Sequence, residues 1–266
     1  MTATQFTNQL AIITGASSGI GAATARELAR HGSRVVLIAR RKERLQELSA
    51  EIQAAGGNAQ VIAADLSQAA ERKAVVSQVL TGGSTPDILV NNAGLGWYGY
   101  YADMPWETAL EMLQVNVEAV VHLTRLFIPA MHQRDRGHII NIGSISGSLP
   151  NQGIAMYGAS KAFLDAFTTS LYRELVGTNI HVSVVRAGPV KSEFFHRART
   201  RPGGLPVPAE RFAVSAEHVA RSIHKLVVRP RKVIYVPAVL SLAPWLEILF
   251  GQIIDRLGPL LLQRAK

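Results

Sequence analysis

The stretch Leu10–Arg40, LAIITGASSGIGAATARELARHGSRVVLIAR, decides how the rest of the chain is read. A short apolar run, Leu10–Ile13, ends in a glycine-rich turn, TGASSGIG, over Thr14–Gly21. A helix-forming segment follows. Ile20, Ala23, Leu28 and Ala29 give it an apolar stripe, and His31-Gly32 stops it. Val35–Ala39 is then a second run of strand type. Strand, helix and strand in this order predict a parallel pair joined by a crossover, buried on both faces. In such a turn Gly15 permits tight reversal, Gly19 lets the backbone approach a phosphate, and Gly21 permits close helix packing. The helix N-terminus presents unpaired N–H groups to the anion.

The alternation continues. Lys42–Ala55 reads as a helix ended by Gly56-Gly57, Ala59–Ala63 as a strand, Ala69–Leu80 as a helix and Asp87–Asn91 as a strand. A long helical pattern covers Trp106–Met131, a strand His138–Ile142, a helix Tyr157–Leu175 and a strand HVSVVRAG. No linker or low-complexity segment divides these units. They predict one doubly wound, Rossmann-like α/β domain over residues 1–266, with a parallel sheet flanked by helices. Residues 190–213 break the pattern with Pro, Gly, Arg and the pair Phe194-Phe195, and read as a variable substrate loop, an ordered loop or small helices. Ser215, with Glu217 behind it, then caps a helix that leads to a final strand. Residues 237–266 form an apolar C-terminal extension.

Composition narrows the chemistry. The 266 residues contain no cysteine, which excludes disulfides, thiolate metal sites and cysteine catalysis. MTATQFTNQL has no basic segment followed by a long apolar run, so a cytoplasmic protein is expected. The net charge is +9, partly gathered in ARRKERL, HRARTR and RPRK. Such a balance attracts nucleic acid, anionic lipid or a phosphorylated cofactor, or simply forms a solvated face. No zinc-finger or RNA-binding signature accompanies it. The second strand ends in Ala39-Arg40-Arg41, where an acidic residue would accept hydrogen bonds from an adenosine ribose. Arg40 instead suits a 2′-phosphate, with Arg41 beside it, which favours NADP(H). Tyr157 and Lys161, in YGASKAF, lie one turn apart on one helix face. That spacing alone does not separate a proton-transfer pair from an ordinary turn.

Taken together, TGASSGIG, Asp65, NNAG at 91–94, Asn116, Ser144, Tyr157 and Lys161 resemble the classical short-chain dehydrogenase/reductase family, from about Leu10 to about Phe194. The resemblance implies that Tyr157 is the acid/base and that Ser144 orients the substrate oxygen. It implies that Lys161 favours tyrosinate and holds the nicotinamide ribose. Asn116 would kink its helix and support a water chain to the lysine. Cofactor contacts would come from Gly15, Ser17, Ser18, Gly19, Ile20 and Gly21 in the turn. Others would come from Arg40, Arg41, Asp65 and Leu66 beside the adenine, Asn92, Ala93 and Gly94 in the wall, and Val190 and Ser192 near the carboxamide. RAGPVKSEF departs from the family order of proline then glycine, through Gly188-Pro189, which leaves that loop's path open.

The function so implied is NADP(H)-dependent hydride transfer between nicotinamide and a carbonyl or secondary alcohol, with no metal. Trp97, Tyr98, Leu149, Phe194 and Phe195 suggest an apolar substrate. Family analogy implies a homodimer or homotetramer. A cofactor-sensing or scaffold protein of the same fold, and a nucleic-acid binder, are the alternatives. In the tail, Pro237, Pro244 and Pro259 and the charges of Glu247, Asp255 and Arg256 argue against a transmembrane span. From Pro244 onward, Trp245, Leu246, Leu249, Phe250, Ile253, Ile254 and Leu257 recur at helical spacing. A subunit contact is the expectation; a substrate lid or a shallow membrane contact are the other uses.

Overall fold

The computed structural model describes residues 8–81 and 85–261, with side chains to 256. Most of the N-terminal stretch behind the leader expectation, and the Leu257 side chain, lie outside the described residues. The strands are β1 (Leu10–Thr14), β2 (Arg34–Ala39), β3 (Asn58–Ala63), β4 (Ile88–Asn91), β5 (Gly137–Ser144), β6 (Ile180–Ala187), β7 (Val190–Lys191), β8 (Val214–Ser215) and β9 (Val233–Val236). The helices are α1 (Gly19–Arg30), α2 (Lys42–Ala54), α3 (Ala69–Thr81), α4 (Trp106–Leu113), α5 (Ala119–Gln133), α6 (Ala155–Glu174), α7 (Glu193–Thr200), α8 (Ala216–Val228) and α9 (Ala243–Leu261).

Seven parallel strands form one sheet in the order β3-β2-β1-β4-β5-β6-β9. The continuous apolar runs follow from burial on both sides. Ala11 and Ile13 of β1 pack with Leu28, Leu45, Val219 and Ile223 on the α1, α2 and α8 side. Leu10 and Ile12 pack with Leu89, Leu123, Phe127 and Leu171 on the other. Successive strand residues point to opposite faces, so each face needs apolar residues and alternation is absent. The strand order reverses between β1 and β4. There the crossovers diverge and a crevice opens at the carboxyl ends. Beneath it the buried amide of Asn91 donates to Asn141 Oδ1 at 2.9 Å and to Thr124 Oγ1 at 3.1 Å. Asn141 in turn donates to Thr168 Oγ1 at 2.9 Å. This ladder joins β4, β5, α5 and α6 directly below the crevice.

Three features give the sequence expectations their detailed form. The helical pattern over 106–131 is interrupted by a π-helical segment, Gln114–Glu118, at the buried Asn116, where a kink is expected. The 190–213 segment is largely regular, with α7 after β7 and a 3-10 turn, Pro208–Phe212, before β8. β7 and β8 make a separate parallel pair. In the tail, Pro244 falls in the first turn of α9, where a missing N–H costs no helical bond, so the helix runs on. By length and composition Ala238–Arg256 is apolar enough to cross a membrane, with mean hydropathy 1.4. It is mostly uncovered, and Trp245, Ile248, Leu249 and Ile253 are exposed.

His138, at the start of β5, shows how burial couples the fold to pH. Burial, and then the neighbouring His181, push its imidazole down to about 3. Its Nε2 lies 2.8 Å from Ser183 Oγ, whose hydroxyl donates to Arg231 O at 2.7 Å, so Nε2 carries the proton of a neutral ring. The folded value lies below the unfolded one. The neutral ring therefore contributes stability at neutral pH that is lost as pH falls from about 6.5 towards 3. Between pH 7 and pH 5, urea unfolding should show a loss of about 2 kcal/mol from this group. His138→Gln, which keeps a donor but does not titrate, should flatten that slope; an unchanged slope contradicts the assignment.

Candidate active site

The glycine turn is tied to the neighbouring strand through one hydroxyl. Thr14 Oγ1 donates to Val90 O at 3.2 Å and accepts from the Asn92 and Ala93 amides at 2.9 and 3.0 Å. The Asn92 side chain donates back to Thr14 O at 2.8 Å and Gly15 O at 3.3 Å. Gly15 has φ +66°, a conformation that suits glycine. A Cβ on Gly21 would stand 2.4 Å from Gly15 O and 2.5 Å from Asn92 Nδ2. Gly21 therefore packs closely behind the turn, as its position predicts, and stands outside the residues that line the cavity. Ser18 stands at the N-cap of α1 without a side-chain bond to the helix amides, and no acidic residue stands in the first turn. The N-terminal amides of α1 are thus available to an anion.

Ser144, at the end of β5, and Tyr157 and Lys161, on the first turns of α6, line one cavity of about 430 Å³. Gly15, Ser17, Ser18, Gly19, Ile20, Asn92, Ala93, Gly94, Val190 and Ser192 line it as well. Tyr157 is half-buried. Burial pushes its hydroxyl above the usual phenol value, while a hydrogen bond with Ser144 pulls it back. Lys161 is buried, and its Nζ donates to Ile142 O at 2.8 Å. Burial pushes it down to about 8, and Asp165 opposes this. Asp165 is itself held by Arg186 Nε at 3.1 Å, and Arg186 also bonds the Tyr235 hydroxyl. Lys161 faces Tyr157 across the cavity without a direct bond to its hydroxyl. The ammonium is engaged by a carbonyl and lies 5.8 Å from the Tyr157 ring centre.

Asn116 is buried and does not line the cavity. Its amide accepts from Leu95 N at 2.8 Å and donates to Leu95 O at 2.9 Å and Ser160 Oγ at 3.1 Å. The expected link to Lys161 is not a direct contact. Ser160, which sequence reasoning passed over between Tyr157 and Lys161, donates to Tyr157 O at 2.7 Å. Asn116 thus braces the turn that carries the tyrosine.

A second cavity of about 260 Å³ adjoins the first and shares Gly15, Ser17, Ala93, Gly94 and Arg197 with it. Arg40, Arg41, Asp65 and Leu66 line it. The Asp65 carboxylate accepts from Ser67 N at 3.0 Å. Arg41, more than Arg40, addresses the glycine turn. Its Nη2 donates to Ser17 Oγ and Ser18 Oγ, each at 3.0 Å, and Nη1 to Glu193 at 2.8 Å. Arg40 lines the same cavity and pairs with Glu111 at 2.9 Å. An uncapped helix terminus and a guanidinium beside two serines suit a cofactor with several phosphates.

Of the apolar candidates, Trp97, Tyr98, Phe194 and Phe195 line the larger cavity, and Leu149 does not. The Phe194 ring centre lies 5.6 Å from that of Tyr157. Gly188 and Pro189 line the same cavity, and Pro189 O accepts from Val214 N at 2.9 Å, so the reversed pair is anchored by β8. Gln152, Val207 and Pro208 also line it, without any periodicity that would have marked them. Away from the site, ligand atoms of Glu27, His31 and His224 lie within 4.8 Å of one another. Arg30 donates to Glu27 there at 3.0 Å.

A family model described as short chain dehydrogenase matches residues 9–203. The NADP-dependent 3-hydroxy acid dehydrogenase of Shigella flexneri is 37% identical over 194 residues, 71% of this chain and 76% of that protein. A metagenomic short-chain oxidoreductase solved with NADP is 36% identical, with TM-score 0.75 over 88% of this chain and 98% of that one. A short-chain dehydrogenase from Sphingobium yanoikuyae solved with NADPH is 30% identical, with TM-score 0.79 over 97% of both chains. With the glycine turn, the Ser144–Tyr157–Lys161 cavity and these matches in agreement, the chain belongs to the short-chain dehydrogenase family.

Proposed function

We propose that the protein is an NADP(H)-dependent oxidoreductase that interconverts a carbonyl and a secondary alcohol on an apolar substrate. The observation that carries this is the convergence of Ser144, Tyr157 and Lys161 on one cavity beside an anion-ready helix terminus. The α1 terminus would hold the cofactor phosphates and the Tyr157 end of the cavity its nicotinamide, which would supply or accept the hydride. Tyr157 gives its proton to the carbonyl oxygen in reduction and takes it back in oxidation. Ser144 orients the substrate oxygen. Lys161 holds the ribose side, and Val190 and Ser192 the carboxamide side.

The intact triad supports catalysis over a scaffold role. Arg40, Arg41 and Arg197 lining one cavity give the positive charge a small-ligand use rather than nucleic-acid binding. One sheet runs from β1 to β9, which supports a single catalytic domain. The aromatic side chains around Tyr157 favour apolar substrates. The names of the relatives support the cofactor choice, and Arg41 on Ser17 and Ser18 supports it independently.

Tyr157→Phe keeps the ring and removes the transferable proton, so turnover with an apolar ketone and NADPH should fall by at least about 100-fold, with NADPH affinity little changed. Near-normal turnover in the folded variant would sink the assignment. Arg41→Ala should weaken NADP+ binding by about 10- to 100-fold and NAD+ far less, because a charge-assisted phosphate contact is lost. Arg40→Ala, whose partner is Glu111, should have the smaller effect. An unchanged cofactor preference in both variants excludes this phosphate site.

The exposed apolar side of α9 supports an oligomer in which another subunit covers it. Truncation after Val236 should lower the assembled mass in light scattering. Vesicle co-sedimentation of the intact protein, with no change in mass on truncation, favours a membrane contact instead.

A further inference from the structure

We propose that Arg197 is a third guanidinium that reads the cofactor 2′-phosphate, and that Glu193 occupies this phosphate position on Arg41 and Arg197 until the phosphate displaces it. The inference rests on the NADP(H) reading above and extends it from the glycine turn to the substrate-side helix. Arg197 lines both cavities, and in the smaller one it stands with Arg40 and Arg41. Glu193 and Arg197 are one turn apart on α7. A single oxygen, Glu193 Oε2, accepts from Arg41 at 2.8 Å and from Arg197 at 3.1 Å. Arg41 keeps its other contacts, to Ser17 and Ser18. Two guanidiniums therefore converge on one carboxylate beside the turn.

The charge at this place is unbalanced. Glu193 brings one negative charge to two positive groups. Arg40, the third, is held by Glu111, which Arg201 shares at 2.9 Å. Burial, and then the adjoining Arg41, push the Arg197 guanidinium below its ordinary value, as expected of crowded cations. A phosphate monoester carries nearly two charges and three acceptor oxygens, so it matches this set of donors better than one carboxylate does. Glu193 thus marks the anion position. The same helix carries Phe194 and Phe195 into the substrate cavity. A phosphate held by Arg197 therefore fixes the substrate wall as well as the adenosine end. NAD+, lacking the phosphate, leaves Glu193 in place and gains nothing from Arg197.

The test is titration of NADP+ and NAD+ into the intact protein by calorimetry, for wild type, Arg197→Gln, Glu193→Gln and Arg41→Ala, each checked for folding by thermal melt. Arg197→Gln should weaken NADP+ by about 10-fold and leave NAD+ within about 2-fold. Glu193→Gln removes the competing carboxylate, so it should tighten NADP+ several-fold and leave NAD+ unchanged. Loss of NADP+ affinity in Arg41→Ala without loss in Arg197→Gln overturns the inference and leaves the cofactor reading standing. Weaker NADP+ binding by Glu193→Gln overturns the displacement, because Glu193 would then be a strut for Arg41. No change in any variant overturns the cofactor reading itself.

Discussion

The Thr14 hydroxyl carries the constraint on which the site depends. It accepts two backbone amides from the β4 end and donates to a third group on the same strand, so the glycine turn and the NNAG segment move as one body. Asn92 completes the tie from the other side. Each contact is worth only about 1 kcal/mol. Their effect is geometric. They set the α1 terminus, the floor at Ala93 and Gly94, and hence the distance from the phosphate end to the Tyr157 end of the crevice. The buried Asn91–Asn141–Thr168 ladder holds the opposite wall to the same strand.

Charge is arranged differently at the two ends. At the chemical end Lys161 is buried against a carbonyl, with Asp165 and Arg186 behind it, and Tyr157 is held protonated by burial. At the adenosine end arginines share carboxylates: Arg41 and Arg197 on Glu193, Arg40 and Arg201 on Glu111. Such pairs are solvent-screened and contribute little to stability. Their value lies in keeping guanidiniums extended around a cavity that suits a dianion. α7 links the two ends, because Glu193, Phe194 and Arg197 sit on one short helix.

Much of this was legible in the sequence because it is local. The βα alternation, the turn glycines and the Ser215 cap, which accepts from His218 N at 3.2 Å, depend on neighbours within a few residues. The central strands β1 and β4 are mostly apolar because both faces are covered. What escaped notice depends on residues far apart in the chain. That Arg41 and not Arg40 addresses Ser17 depends on Glu111 drawing Arg40 away, 71 residues distant. The meeting of Arg41 with Glu193, which Arg197 shares, spans 152 residues. The kink expected at Asn116 takes its π-helical form from a partner beyond the motif, the Leu95 backbone that satisfies its amide. The helical spacing read from Pro244 onward is local too, and α9 begins there, with the proline in its first turn.

The central claim is that this crevice is built for a dinucleotide carrying a 2′-phosphate. The most direct measurement is calorimetric titration of the unmodified protein with NADPH and, separately, NADH at one ionic strength. The account predicts stoichiometric binding of both, with NADPH tighter by at least about 10-fold, the size of a charge-assisted phosphate contact. Equal affinity, or a preference for NADH, would contradict it.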